Sequence, residues 1–245
     1  MPRYGVAMRV PRSAAVWPLC LISAAVTLSF LVGPAGASSS IRTITRSAAP
    51  KVASAINLRH SDLPGLRQES NVNTPADKRL DAAVTKCAGG VPDTEAFVDS
   101  MSPNFVSPGL MTVAVSSEVE ILPSAGLVAK DLAASRSTLA LSCFQKTLDG
   151  TSGFPKGDSV TFHGADLPFS VPGASDAFLL RLSAVLTMRK GTTEVSVPYY
   201  TDAVAFADGQ AEISLFDQEF RHLPSAALEH RLAALLQRRA KAAIG

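Results

Sequence analysis

The chain has 245 residues, 47 % of them apolar and 18 % charged, with three cysteines and a formal net charge of +2. Three arginines lie in the first 37 residues and no acids, so the remainder carries 20 basic (23 − 3) and 21 acidic residues, a net of −1. That balance excludes any charge-based argument for a nucleic-acid or anionic-membrane partner, and the length suits one domain with a proper core.

Arg3, Arg9 and Arg12 precede a stretch without charge from Ser13 to Ser40. The apolar run 14–32 is broken by Gly33-Pro34 and followed by Ala35-Gly36-Ala37, the pattern of a secretory signal cleaved after Ala37. The apolar core is about long enough to span a bilayer, so an uncleaved anchor is the alternative, and membrane association is expected only in that case. In both cases residues 38 onward face away from the cytoplasm. Cys20 follows Leu19 in mid-core and reads as a small apolar residue, not a lipid attachment site. Residues 38–54, rich in Ser, Thr and Ala, read as a flexible tether, and 55–245 as the domain.

Residues 55–65, "AINLRHSDLPG", read as a short strand through Ile56 and Leu58 stopped at Pro64-Gly65. A helix follows from Thr74-Pro75, with Leu80, Val84 and Cys87 at i, i+4 and i+7 on its apolar face and Gly89 or Gly90 as its cap. "SPNFVSPG" reads as a short partner strand. Next, "MTVAVSSEVEI" alternates cleanly, with Val113, Val115, Val119 and Ile121 on one face and Ser116, Glu118 and Glu120 on the other.

Ser124 opens a helix through Leu127, Val128 and Leu132, and a second helical segment carries Leu139, Cys143 and Phe144 to a stop at Asp149-Gly150. Residues 148–159 read as a loop joining two halves of one fold, and 159–171 as a bent or interrupted strand. Strands 178–189, 194–206 and 211–216 follow, turned at Lys190-Gly191-Thr192 and Asp208-Gly209. Pro198 marks a bulge or a local edge. The last helix, 224–242, carries Leu228, Leu232, Leu235 and Leu236 inward, with Glu229, His230, Arg231 and Arg238 outside. Tight turns make the strands antiparallel, and their one-sided apolar faces need helices to cover them. The expected fold is α+β, an antiparallel β-sheet flanked by helices.

Cys87 and Cys143 are the only cysteines beyond the signal, and an even pair in an oxidising compartment reads as a disulfide. Neither has zinc-ligand neighbours, nor a histidine to activate a nucleophile. His60, His163, His222 and His230 show no H-E-x-x-H spacing, and no nucleophile elbow, phosphate loop or dinucleotide fingerprint occurs. No catalytic, cofactor or metal residues are expected. The alternative is a hydrolase whose Ser/His site is dispersed, for instance around His163 and Asp166.

Several stretches together resemble secreted actinobacterial proteins of the LpqN type and the PknH-type extracellular sensor domains. They are "LRHSDLPG", the helix ending in Cys87, "SPNF" before "VAVSSEVEI", Cys143, and "YYTDAVAFADGQAEISL" leading into "LPSAALEHRLAALLQRR". The resemblance implies a Mog1/PsbP-like α/β/α sandwich and a non-enzymatic module at a bacterial cell envelope. This chain has no lipobox cysteine, and one cysteine pair where the sensor domains tend to carry two. The expectation is a secreted protein that binds a small apolar ligand or an envelope protein; a signal-anchored structural protein is a further alternative.

Overall fold

Alternating apolar residues dominate the second half of the chain, and there a long antiparallel sheet forms. The computed structural model describes residues 43–245 except 72, 109–112, 152–158 and 191–192. The signal segment, residues 38–42 of the expected tether and the turn at Gly191-Thr192 lie outside the described residues, as does most of the expected 148–159 loop.

The elements are α1 (Ala49–Ile56), β1 (Arg67–Glu69), α2 (Pro75–Ala88), β2 (Val98–Met101), β3 (Asn104–Val106), β4 (Val113–Ile121), α3 (Ala125–Ser135), α4 (Thr138–Thr151), β5 (Ser159–Leu167), β6 (Ser175–Lys190), β7 (Thr193–Asp208), β8 (Ala211–Phe220) and α5 (Ala226–Ile244). The strands form one eight-stranded antiparallel sheet in the order β1-β3-β4-β8-β7-β6-β5, with β2 also paired to β4. Helices cover both faces, so the fold is α+β.

Strand alternation sets the two layers. Val115, Val119 and Ile121 of β4, Val204 and Phe206 of β7 and Ile213 and Leu215 of β8 meet α1 and α5 on one face. On the other, Leu180, Leu182, Ala203 and Phe216 pack against Leu80 and Val84 of α2 and Phe144 of α4. Phe178, Ala205 and Ala207 meet Val128 and Leu132 of α3 there. Phe178, Phe206 and Phe216 are fully buried, each contributing roughly 2–3 kcal/mol of transfer free energy.

The largest departure from expectation is at the start of the domain. Residues 49–56 form a helix, where a tether and the beginning of a strand were expected. Ala49, Ala53 and Ile56 recur at i, i+4 and i+7 and are fully buried, and Pro50 in the first turn suits a helix start. Leu58 and Leu63 are also buried, around a 3-10 turn at His60–Asp62, so no strand forms there. The domain reaches back at least to Ile44. Its N–H donates to Gln210 Oε1 (2.7 Å), while Gln210 Nε2 donates to the carbonyls of Ile44 (3.3 Å), Leu122 and Pro123 (both 3.0 Å).

At the other end α5 carries more than leucines inward. Glu229 and Gln237 are buried with Leu232, Leu236 and Ala240, whereas Glu229 was expected outside. Gln237 Nε2 donates to Asp208 Oδ2 (2.7 Å) and the Gly173 carbonyl (3.0 Å). Arg239 donates to both carboxylate oxygens of Asp62 (2.7 and 2.8 Å) and to the Asn57 carbonyl, tying α5 to the 3-10 turn. The α4 helix runs through Asp149-Gly150 to Thr151, and its Leu139 is 52 % exposed instead of facing the core. Pro198 lies one residue past the end of β8's pairing, where its carbonyl accepts from the Arg221 N–H and its ring forgoes only the reciprocal bond at the end of the ladder.

Cys87 and Cys143 form a disulfide between α2 and α4, with Cα atoms 5.8 Å apart and 56 positions between them in sequence. Closing a loop of that length removes about 4 kcal/mol of chain entropy from the unfolded state.

Candidate functional site

The α2 helix ends one wall of a cleft. Gly89 takes φ +81°, and the N–H groups of Gly89 and Gly90 both bond to the Thr85 carbonyl. Gly90 has a separate reason to be glycine: a Cβ there would come within 2.8 Å of Asp131 Oδ1 and 3.0 Å of Thr85 Cγ2. The next residue, Val91, donates its N–H to Asp131 Oδ1 at 2.5 Å. The turn after α2 therefore fixes a carboxylate of α3.

Below these helices the sheet supplies a row of acids. Register places Asp99 of β2 opposite Glu120 of β4, and Glu120 opposite Glu212 of β8; the next strand continues the row with Ala207. Cross-strand partners share a face, and like charges directly opposite one another are destabilising. Glu118 stands two residues along β4 on the same side. With Asp81 of α2, Asp93 of the loop before β2 and Asp131 of α3, seven carboxylates line one cavity of about 70 Å³. Its described lining includes no Lys, Arg, His or Cys.

Burial and mutual repulsion raise Asp81, Asp99, Glu118, Glu120, Asp131 and Glu212. The Asp81 carboxyl is pushed up to about 7 by burial and then by the charges of Asp93, Asp99 and Asp131. Glu120 is pushed to about 9 by burial and then by Asp131, Asp99 and Asp93. Glu118 and Glu212 are held well above the usual carboxylate range, first by burial and then by Asp99 and Asp131 respectively. Asp99 and Asp131 are also raised, chiefly by burial. Close neighbours add to this, Asp99 beside Glu118 and Asp131 beside Glu212. Glu212 is 8 % exposed, and its Oε2 has no hydrogen-bond partner; Glu120 Oε1 has none either.

The opposite face carries a second acidic row, Asp202 of β7 opposite Asp217 of β8. Here Arg181 of β6 lies opposite Asp202 and grips it with two hydrogen bonds, Nε to Oδ1 (2.7 Å) and NH2 to Oδ2 (2.5 Å). Burial, then the neighbouring Asp202, pushes Glu229 up to about 9, and burial and neighbouring acids push Asp217 to about 7; the carboxylate oxygens of both are buried without a hydrogen-bond partner.

Of the residues singled out in the sequence, Cys87 and Cys143 come together as the staple holding α2, a wall of the cleft. His60, His163 and His222 are exposed, and His230 stacks on Phe169 at 4.2 Å. The acidic cleft itself was not anticipated. Its signal, the alternation S-S-E-V-E, is visible, but the polar face was read without knowing that helices cover it. The sequence led us to expect an apolar ligand; this cavity sets seven carboxylates among Val84, Ala88, Val91 and Ala134.

No family model matches the chain, and no curated protein does. Among solved structures, the extracellular domain of PknH from Mycobacterium tuberculosis is similar, with a TM-score of 0.44 and 10 % identity over 82 % of this chain and 100 % of that one. That domain is of the PknH type to which the sequence bears a resemblance; a likeness of this depth carries no argument about function. The LpqN and Mog1/PsbP resemblances stay expectations.

Proposed function

We propose that this protein is an exported, non-catalytic binding module that takes a positively charged ligand in the cleft between α2, α3 and the sheet. The observation that carries this reading is the cleft's composition: seven carboxylates and no basic side chain among its described lining. Like charges held together in a partly dry space lower stability unless something positive neutralises them. A fold that retains them favours a cationic occupant over the small apolar ligand expected from the sequence.

Export is supported by the signal-like pattern of residues 1–37 and by the disulfide, which persists in oxidising compartments. Among the described residues no helix is long and apolar enough to cross a membrane. Thermal unfolding with calcium chloride, spermidine, a lysine-rich peptide and a fatty acid tests the reading. Stabilisation by one or more of the cations, with none by the fatty acid, is expected. Stabilisation by the fatty acid alone would overturn it.

A further inference from the structure

Resting on the cation-binding reading, we propose that Glu120, Asp131 and Glu212 form a calcium site at the floor of the cleft. Each offers a carboxylate oxygen, and the three oxygens lie within 4.8 Å of one another. The donor set is entirely hard oxygen, which suits calcium, magnesium or manganese and disfavours zinc and copper. Calcium takes oxygens at about 2.3–2.6 Å, so ligands on opposite sides of the ion stand up to about 5 Å apart. Magnesium, at about 2.0–2.1 Å, allows only about 4.2 Å and demands a near-ideal octahedron. Oxygens gathered within 4.8 Å come inside calcium's reach, its flexible geometry tolerates ligands set by strand register where magnesium's octahedron does not, and waters complete its shell.

Carboxylates in a cluster are not by themselves a site. The independent sign of a ligand is Glu212, nine-tenths buried, lining the cavity, with Oε2 lacking any partner. Water does not reach this atom to solvate its charge, so it needs a cation or a proton. Positioning is already in place. Glu120 and Glu212 are fixed by direct register across β4 and β8, and Asp131 is oriented by the Val91 N–H over the bare backbone of Gly90. Orientation of a ligand by a neighbouring backbone donor is a common outer-shell device. Asp81, Asp93 and Asp99 add negative field at the entrance, which raises the local cation concentration.

Titration calorimetry on the exported protein, stripped with EDTA, tests this with calcium chloride, magnesium chloride and spermidine as probes. The expected result is saturable one-to-one binding of calcium, with a dissociation constant on the order of 10⁻⁴–10⁻³ M as in extracellular calcium modules. Magnesium should bind at least tenfold more weakly. Glu212→Gln and Glu120→Gln should each weaken calcium at least tenfold while keeping a cooperative thermal transition, which separates loss of the site from loss of the fold. Calcium affinity unchanged in both variants would overturn the assignment. Absent calcium binding with spermidine bound would overturn it too, yet leave the cation-binding reading standing. Heat from none of the cations would remove both.

Discussion

Two rows of carboxylates cross the same sheet on opposite faces, and they are resolved differently. Under α5 the row Asp202–Asp217 ends on Arg181, so the fold supplies Asp202 with a counter-ion by register, while Asp217 and Glu229 stay buried without a hydrogen-bond partner. Under α2 and α3 the row Asp99–Glu120–Glu212 ends on Ala207, and the cavity's described lining includes no basic side chain. A buried acid beside an arginine is an internal structural arrangement. A row of acids without one, running from exposed Asp99 through half-buried Glu120 to buried Glu212 along a cleft, is a place for a cation from outside. Which strand position follows the row, arginine or alanine, separates the two.

The comparison can be broken most forcefully at Arg181. Arg181→Met leaves Asp202 buried without its partner and should cost about 3–5 kcal/mol, read as a lower urea midpoint. A cost near zero would mean that the Arg181–Asp202 pair does not hold this face and that the two faces do not differ in the way described.

A smaller effect should come from pH. A carboxyl raised on folding contributes most to stability below its unfolded pKa, 3.8 for Asp81 and 4.5 for Glu120, and that contribution is lost as pH rises toward the folded values of about 7 and about 9. Asp217 and Glu229 behave in the same sense on the other face. Taking about one pH unit of linkage each after solvent screening, Asp81 and Glu120 should cost the cation-free protein roughly 2–3 kcal/mol between pH 4 and pH 9, with the α5 face adding its own share. Calcium should flatten the cleft's share of that slope and leave the share of the α5 face. Thermal scans across this range, with and without calcium, check it; a stability that rises throughout would contradict the raised values.

The smallest change has the opposite sign from Arg181→Met. Glu118→Gln keeps a donor for Asp99 without requiring a crowded carboxyl to hold its proton, so it should stabilise the cation-free protein by about 1 kcal/mol at neutral pH. Equilibrium urea unfolding reads the difference; destabilisation would mean that Glu118 is not strained by its neighbours.

Much of this architecture is legible in the residues. The alternation of β4, β6, β7 and β8, the Thr74-Pro75 helix start, the Ser124 cap and the Cys87–Cys143 pair all follow from local period and chemistry. The misreadings share one cause. Glu118 and Glu120 on a strand and Glu229 on a helix sit where period places the polar side, but period does not say whether water or another element faces that side. The α1 helix was obscured by small residues, since Ala49 and Ala53 bury a face that has little hydrophobic signal of its own. Tertiary packing decides such positions, and with them the site.

The clasp between Gln210 and Ile44 has a consequence for how the chain is completed. It joins positions 166 residues apart, and α1 docks against α5 at the far end of the sequence. A polypeptide delivered N-terminus first, from a ribosome or through a translocation channel, holds this opening segment without its final contacts until the β7–β8 hairpin and the last helix have emerged. Contacts of such long range are slow to close and leave apolar surface exposed while they wait. Maturation of this domain is therefore a late, whole-chain event, and a truncation that removes α5 should strand the first helix as surely as the last.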